Sequence, residues 1–148
     1  MDISKEYIEM CGKAKEIQDC HKPEGGDFIF ITKGSYVIGA YEIDSEYNRG
    51  EIATIEYQNN PELKNGEYCS FIWLPRQDQL QEMIRKTGEF SGYTDFLDSF
   101  HDFVFDKLDH LYEKDRFADS SLEMYWLTFV MEHIYQKEWN RTEWVKIP

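Results

Sequence analysis

Few residues in this chain are spaced for chemistry, and the most suggestive group is acidic. Between Thr94 and Glu113, a projection of about 100° per residue gathers Asp95, Asp98, Asp102, Asp106, Asp109 and Glu113 into an arc of about 80°. Carboxylates in that pattern suit a cation or a basic partner. They also repel one another by a few tenths of a kcal/mol per i,i+4 pair, and Lys107 and Lys114 are the only cations in that region. A solvated face is the simpler reading; a surface that holds a cation or imitates the regularly spaced charges of a nucleic acid toward a basic partner is the functional one.

His101 beside Asp98 and Asp102 can be drawn as a base with an orienting carboxylate, and His110 also flanks the arc. A general base needs a pocket and a substrate within hydrogen-bond reach, which one amphipathic helix does not provide. No catalytic residue is assigned. Cys20 and His21 adjoin and would make half a zinc site, but no C-x-x-C or H-x-x-x-H supplies the remaining ligands, so neither metal nor cofactor is expected. His133 falls within the apolar stripe of Leu122, Trp126, Phe129 and Val130, as a core histidine satisfied by a neighbour would. The chain contains no G-x-S-x-G, P-loop, G-x-G-x-x-G or H-E-x-x-H pattern.

The stretch FIWLPRQDQLQEMI, Phe71 to Ile84, moves from a strand-like apolar run through Pro75 into a glutamine-rich segment. Proline suits a first helical turn, and Asp78 suits the positive end of the helix dipole. A strand-to-helix junction therefore explains Arg76-Gln77-Asp78-Gln79. Contact of Arg76, Gln77 or Gln79 with a partner is the alternative.

The elements that position these groups follow from periodicity. Ile3, Tyr7, Met10, Cys11, Ala14 and Ile17 recur at helical spacing, predicting one amphipathic helix over residues 3–18. Lys22-Pro23-Glu24-Gly25-Gly26 ends it. Four β-rich runs follow at 27–32, 36–43, 51–57 and 68–74, separated by Lys33-Gly34-Ser35 and by loops at 44–50 and 59–66. Such short connections predict a four-stranded antiparallel meander. Helices are then expected from Pro75, over 94–113 with Leu97, Phe100, Val104, Leu108 and Leu111 opposite the acids, and over 121–139. That last one is apolar on nearly every face, which marks it as a core helix packed on the sheet. The fold class is α+β, in one domain over residues 1–148.

Composition bounds the function class. The 148 residues are 41% apolar and include ten Tyr, ten Phe and four Trp, enough for a sizeable core. A formal charge of −13, with −7 over residues 1–74 and −6 over 75–148, repels nucleic-acid phosphates and anionic membranes and attracts basic proteins. Three unpaired cysteines, an opening MDISKEYIEM without a signal-peptide pattern and no run of about 20 apolar residues imply a cytoplasmic protein. The expected partner is a basic protein, not nucleic acid or membrane; composition leaves the oligomeric state open. Trp139 and Trp144 are read as clamping the chain end.

The segments IWLPRQDQLQEMI, SLEMYWLTFVMEHIYQKEW and RTEWV carry a resemblance. The chain resembles a family of small uncharacterised proteins encoded by phages and prophages of Gram-positive bacteria, which share the order of N-terminal helix, Pro-Gly-Asp lead into strands, junction and tryptophan-containing last helix. Several members carry tryptophan where His21 or Lys22 stands here. The resemblance implies context only: an accessory protein in a bacterial host, binding a host or phage protein. A small enzyme or ligand-binding domain, with its site between sheet and helices, is the alternative.

Overall fold

A computed structural model of the chain describes residues 1–22, 24–33, 36–43, 69–109 and 120–148. The described residues fall into two compact units, Ile3–Pro75 and Arg76–Pro148 with Met1–Asp2.

The first unit is two helices and a sheet. Ser4 caps α1 (Lys5–Lys13) by accepting the Tyr7 N–H at 3.2 Å. The single helix expected over 3–18 is instead two: the chain breaks at Ala14, with ψ at 67°, and resumes as α2 (Lys15–Cys20). Gly12 marks the reason for the close approach that precedes the break. A Cβ there would stand 2.9 Å from Ile72 Cδ1, so only glycine lets the helix lie this near the sheet without displacing that side chain. Tyr7, Met10, Cys11, Ala14 and Ile17 are all buried, as their spacing requires.

Strands β1 (Phe28–Lys33), β2 (Tyr36–Glu42) and β3 (Cys69–Leu74) form an antiparallel sheet in the order β2-β1-β3. The expected four-stranded meander is therefore not the fold. A meander would put β2 between its neighbours; here β1 is central and pairs with both, Phe28 opposite Glu42 on one side and Leu74 on the other. The run at 51–57 and the separators at 34–35, 44–50 and 59–66 lie outside the described residues. Alternation puts Ile29 and Ile31 on one face, clustered with Ile43 and Phe71, while Phe30 and Ile72 face α1. β3 is an edge among the described strands, and Gln18 covers it. Its amide accepts the Trp73 N–H at 2.9 Å and donates to the Trp73 carbonyl at 2.9 Å, standing in for a neighbouring strand. Gly26, at φ +88°, forms the turn into β1.

The second unit is three helices and a hairpin: α3 (Gln77–Arg85), α4 (Tyr93–Asp109), α5 (Leu122–Tyr135), β4 (Lys137–Trp139) and β5 (Trp144–Lys146). Helix α3 starts two residues later than the proline suggested. Arg76 is the N-cap and Pro75 precedes it, buried, its carbonyl accepting the Tyr7 hydroxyl at 2.5 Å. Trp73 is buried as expected. Helix α5 buries Met124, Trp126, Leu127, Thr128, Phe129, Val130 and Met131, and within this unit α3, α4 and β4 pack on it. It ends at Tyr135, four residues short of the expected Trp139, with Gln136 as its C-cap in the left-handed region at φ 55°. The chain then turns through Asn140, whose Oδ1 accepts the Thr142 and Glu143 N–H groups at 3.0 and 2.9 Å, so that Trp139 and Trp144 meet across the hairpin with centroids 5.1 Å apart. Trp144 is buried and Trp139 half-buried. No helix among the described residues is long and apolar enough to cross a membrane.

Candidate functional site

Helix α4 has three faces where the sequence suggested two. Phe96 is buried, and Phe100 stacks on Trp126 of α5 with centroids 3.5 Å apart and planes at 7°; Phe103 packs on Phe129 at 5.1 Å. This aromatic seam, not the stripe centred on Leu97 and Val104, is the inward face. It is rotated by roughly 60° from the direction opposite the acids, at about 100° per residue. The rotation leaves a third strip, Tyr93, Leu97, His101 and Phe105, at i, i+4, i+8 and i+12. Tyr93 is 62%, Leu97 38% and Phe105 54% exposed. His101 is exposed too, its ring 4.4 Å from that of Phe105.

The strip winds by about 40° per step, so only its end at His101 and Phe105 comes beside carboxylates, those of Asp98 and Asp102. Asp95, Asp98, Asp102 and Asp106 are exposed, and Asp109 is the last residue of the helix. Asp95 accepts a hydrogen bond from the Ser91 hydroxyl, and Asp102 Oδ1 lies 3.5 Å from His101 Nδ1. His110, Leu111, Glu113 and Lys114 lie outside the described residues. The structure thus brings four of the five expected aspartates together in one solvent-facing row and adds an exposed ridge of which periodicity had assigned only Leu97 to the core. The ridge could have been found by noticing that α4 has more large apolar residues than one helix face can bury: eight of its 17 residues are Tyr, Phe, Leu or Val.

Arg76 and Gln77 sit at the junction, both half-buried. The Arg76 guanidinium donates to Asp78 twice, Nε to Oδ1 at 3.1 Å and Nη2 to Oδ2 at 3.3 Å, and its backbone N–H donates to Gln79 Oε1 at 2.9 Å. Gln79 thereby supplies one half of a capping box; an arginine side chain has no acceptor to supply the other. These contacts build the helix start.

The histidines separate by environment. His101 and Asp102 are exposed and 3.5 Å apart. His21 is different. Its Nε2 is 2.7 Å from Oδ2 of the buried Asp27, which also accepts the Glu24 N–H at 2.8 Å, and its ring lies on Trp73 with centroids 3.4 Å apart and planes at 9°. The buried carboxylate so satisfied holds the turn between α2 and β1. Cys20 is exposed with its thiol on the Ile17 carbonyl, pointing no ligand at His21, and no three His, Cys, Asp or Glu groups converge among the described residues. His133 is half-buried rather than central: Nε2 is 2.5 Å from Glu89 Oε2, and the ring rests on Phe90 and Phe129.

The first unit also contains an open cleft of about 790 Å³ between α1 and the sheet, walled by Ile3, Ile8, Phe30 and Ile72 over Gly12. Lys5, Glu9 and Lys13 form its rim. The Glu9 carboxyl is held below the usual range, mainly by its 2.7 Å hydrogen bond and charge pairing with Lys13.

Set against known proteins, the chain matches no family, no curated protein and no solved structure.

Proposed function

We propose that this chain is a non-enzymatic accessory protein of a phage or prophage of a Gram-positive bacterium, acting in the host cytoplasm by binding a basic protein through α4. The observation that carries the reading is the exposed row Asp95, Asp98, Asp102 and Asp106, in which Asp98 and Asp102 lie beside the exposed His101 and Phe105. Charge of that density raises encounter rates with a basic surface, and apolar contact then slows escape. From Asp95 to Asp109 the helix rises about 21 Å, roughly one carboxylate per 5 Å, against one phosphate per 1.7 Å of duplex. Such sparse charge, with a ridge that no phosphate backbone has, favours an inhibitor-type protein contact over imitation of nucleic acid. The resemblance of the junction and of the last helix to phage-encoded proteins supplies the context.

The test is kinetic. With a basic partner isolated from host lysate, changing Asp98, Asp102 and Asp106 to Asn should slow association at least several-fold and flatten its dependence on salt. An unchanged rate and salt slope would refute the reading. The cleft over Gly12 favours a second one, a binding site for a small apolar ligand, since its volume lies within the range of small-molecule sites. Ile8→Lys should put a charge on its apolar wall and abolish uptake of an apolar fluorescent probe; full retention of probe binding would remove this alternative.

A further inference from the structure

We infer that the cleft between α1 and the sheet takes a free fatty acid, with its carboxylate on Lys5 and its hydrocarbon tail along Ile8, Phe30 and Ile72. The inference rests on the apolar-ligand reading of this cleft and names the chemical class of the ligand. The walls suit the tail. Ile8, Phe30 and Ile72 are each only half-buried and Ile3 is 61% exposed, so apolar side chains line a trough of about 790 Å³ that the described residues leave open. None of the four has a polar side-chain atom, so burial alone favours a ligand there, and a hydrocarbon chain gains most from it.

The rim suits the head. Lys5 and Lys13 stand four residues to either side of Glu9 on α1, but the two lysines differ. Lys13 is in the last turn, where the helix dipole favours a cation, and its ammonium donates to Glu9 Oε1 at 2.7 Å. Lys5 is the first residue of the helix, where the same dipole disfavours a cation. It makes no hydrogen bond or ion pair among the described residues and acts on Glu9 through its charge alone. An exposed lysine needs no partner in water, so its position decides the matter. At about 100° per residue Lys5 lies about 60° round the helix from Ile8 and about 20° from Gly12, which puts its ammonium at the mouth of the trough.

Charge then selects among amphiphiles. The rim has two cations against one carboxylate, and beyond about 8 Å the negative charge of the rest of the chain is largely screened at physiological salt. A neutral hydrocarbon would use the walls and leave Lys5 without a role, and a cationic amphiphile would be repelled by the rim. An anionic membrane would present many like charges to a molecule of net charge −13. A free fatty acid brings one carboxylate for a charge-assisted hydrogen bond and one tail for the walls.

The experiment titrates the full chain by calorimetry with dodecanoate, dodecanol and dodecyltrimethylammonium, each below the concentration at which it self-associates. Dodecanoate should bind at least about tenfold tighter than the other two. Decanoate and octanoate should each weaken binding about fourfold per pair of carbons removed, since a methylene fully taken from water is worth about fourfold and an open trough covers half of each. Lys5→Gln should reduce the preference for dodecanoate over dodecanol to within about twofold, and Lys5→Arg should keep it; circular dichroism checks that both are folded. Equal affinity for dodecanoate and dodecanol overturns the inference and leaves the apolar-ligand reading standing. Binding of neither overturns both. A preference that survives unchanged in Lys5→Gln overturns the inference, because the carboxylate is then held elsewhere. Capture of the chain by vesicles of anionic phospholipid, without uptake of free dodecanoate, would give the trough to a membrane surface and overturn it as well.

Discussion

Helices α4 and α5 lie in the same unit and are both rich in aromatic residues, yet they spend them differently. In α5, seven of 14 residues are buried and the polar Thr128 is satisfied by donating to the Met124 carbonyl at 2.9 Å. In α4, one seam packs on α5 with Phe96 buried and Phe100 and Phe103 half-buried, one strip carries carboxylates and one presents apolar side chains to solvent. Burial removes apolar surface from water at roughly 25 cal/mol per Å², so an exposed ridge forgoes stability that a polar strip would not have offered in the first place. The contrast teaches that α5 answers to folding alone, whereas part of α4 is left over after folding is complete.

The contrast can be broken most forcefully in α5. Trp126→Ala should cost on the order of 3–5 kcal/mol in chemical denaturation, because it empties a site enclosed by Phe96, Phe100 and Phe129. A loss below about 1 kcal/mol would mean the seam is not packed as described. Trp126→Phe should be far milder: the indole Nε1 has no hydrogen-bond partner among the described residues, so little polar interaction is lost with it.

In the first unit, Trp73→Ala should cost about 3 kcal/mol, since it also removes the platform under His21. The α4 ridge should behave in the opposite way. Leu97→Ser with Phe105→Ser should move the denaturation midpoint by less than the equivalent of about 1 kcal/mol, as exposed substitutions do, and a loss comparable to Trp126→Ala would show the ridge to be core after all. Smallest of all, Asp98, Asp102 and Asp106 to Asn should leave stability equal or raise it by a few tenths of a kcal/mol, because repulsion is relieved and no buried partner is lost. A clear destabilisation would reveal partners for these aspartates and end the description of the row as solvent-facing.

Much of this was legible in the residues. The shift from helical to β-rich patterning located β1, β2 and β3 within a residue or two, and the all-round apolar character of Leu122 to Tyr135 identified the most buried helix. Pairing was not legible, because alternation says which residues share a face and not which strand lies beside which; that is why a meander was expected where β1 is central. The end of α5 was hidden because a glutamine, not the usual glycine, adopts the left-handed conformation at Gln136. The acidic row was legible and the ridge was not, for one physical reason. A helical projection assumes that the core lies opposite the charges, whereas the ring stacking of Phe100 on Trp126 turned α4 away from that direction.

Amide hydrogen exchange with and without the basic partner isolated from host lysate tests the central claim most directly. The account predicts added protection over Tyr93 to Asp106, with the segment of Lys5 to Lys13 around the apolar cleft unchanged. Protection confined to that segment, or none on α4, would contradict it.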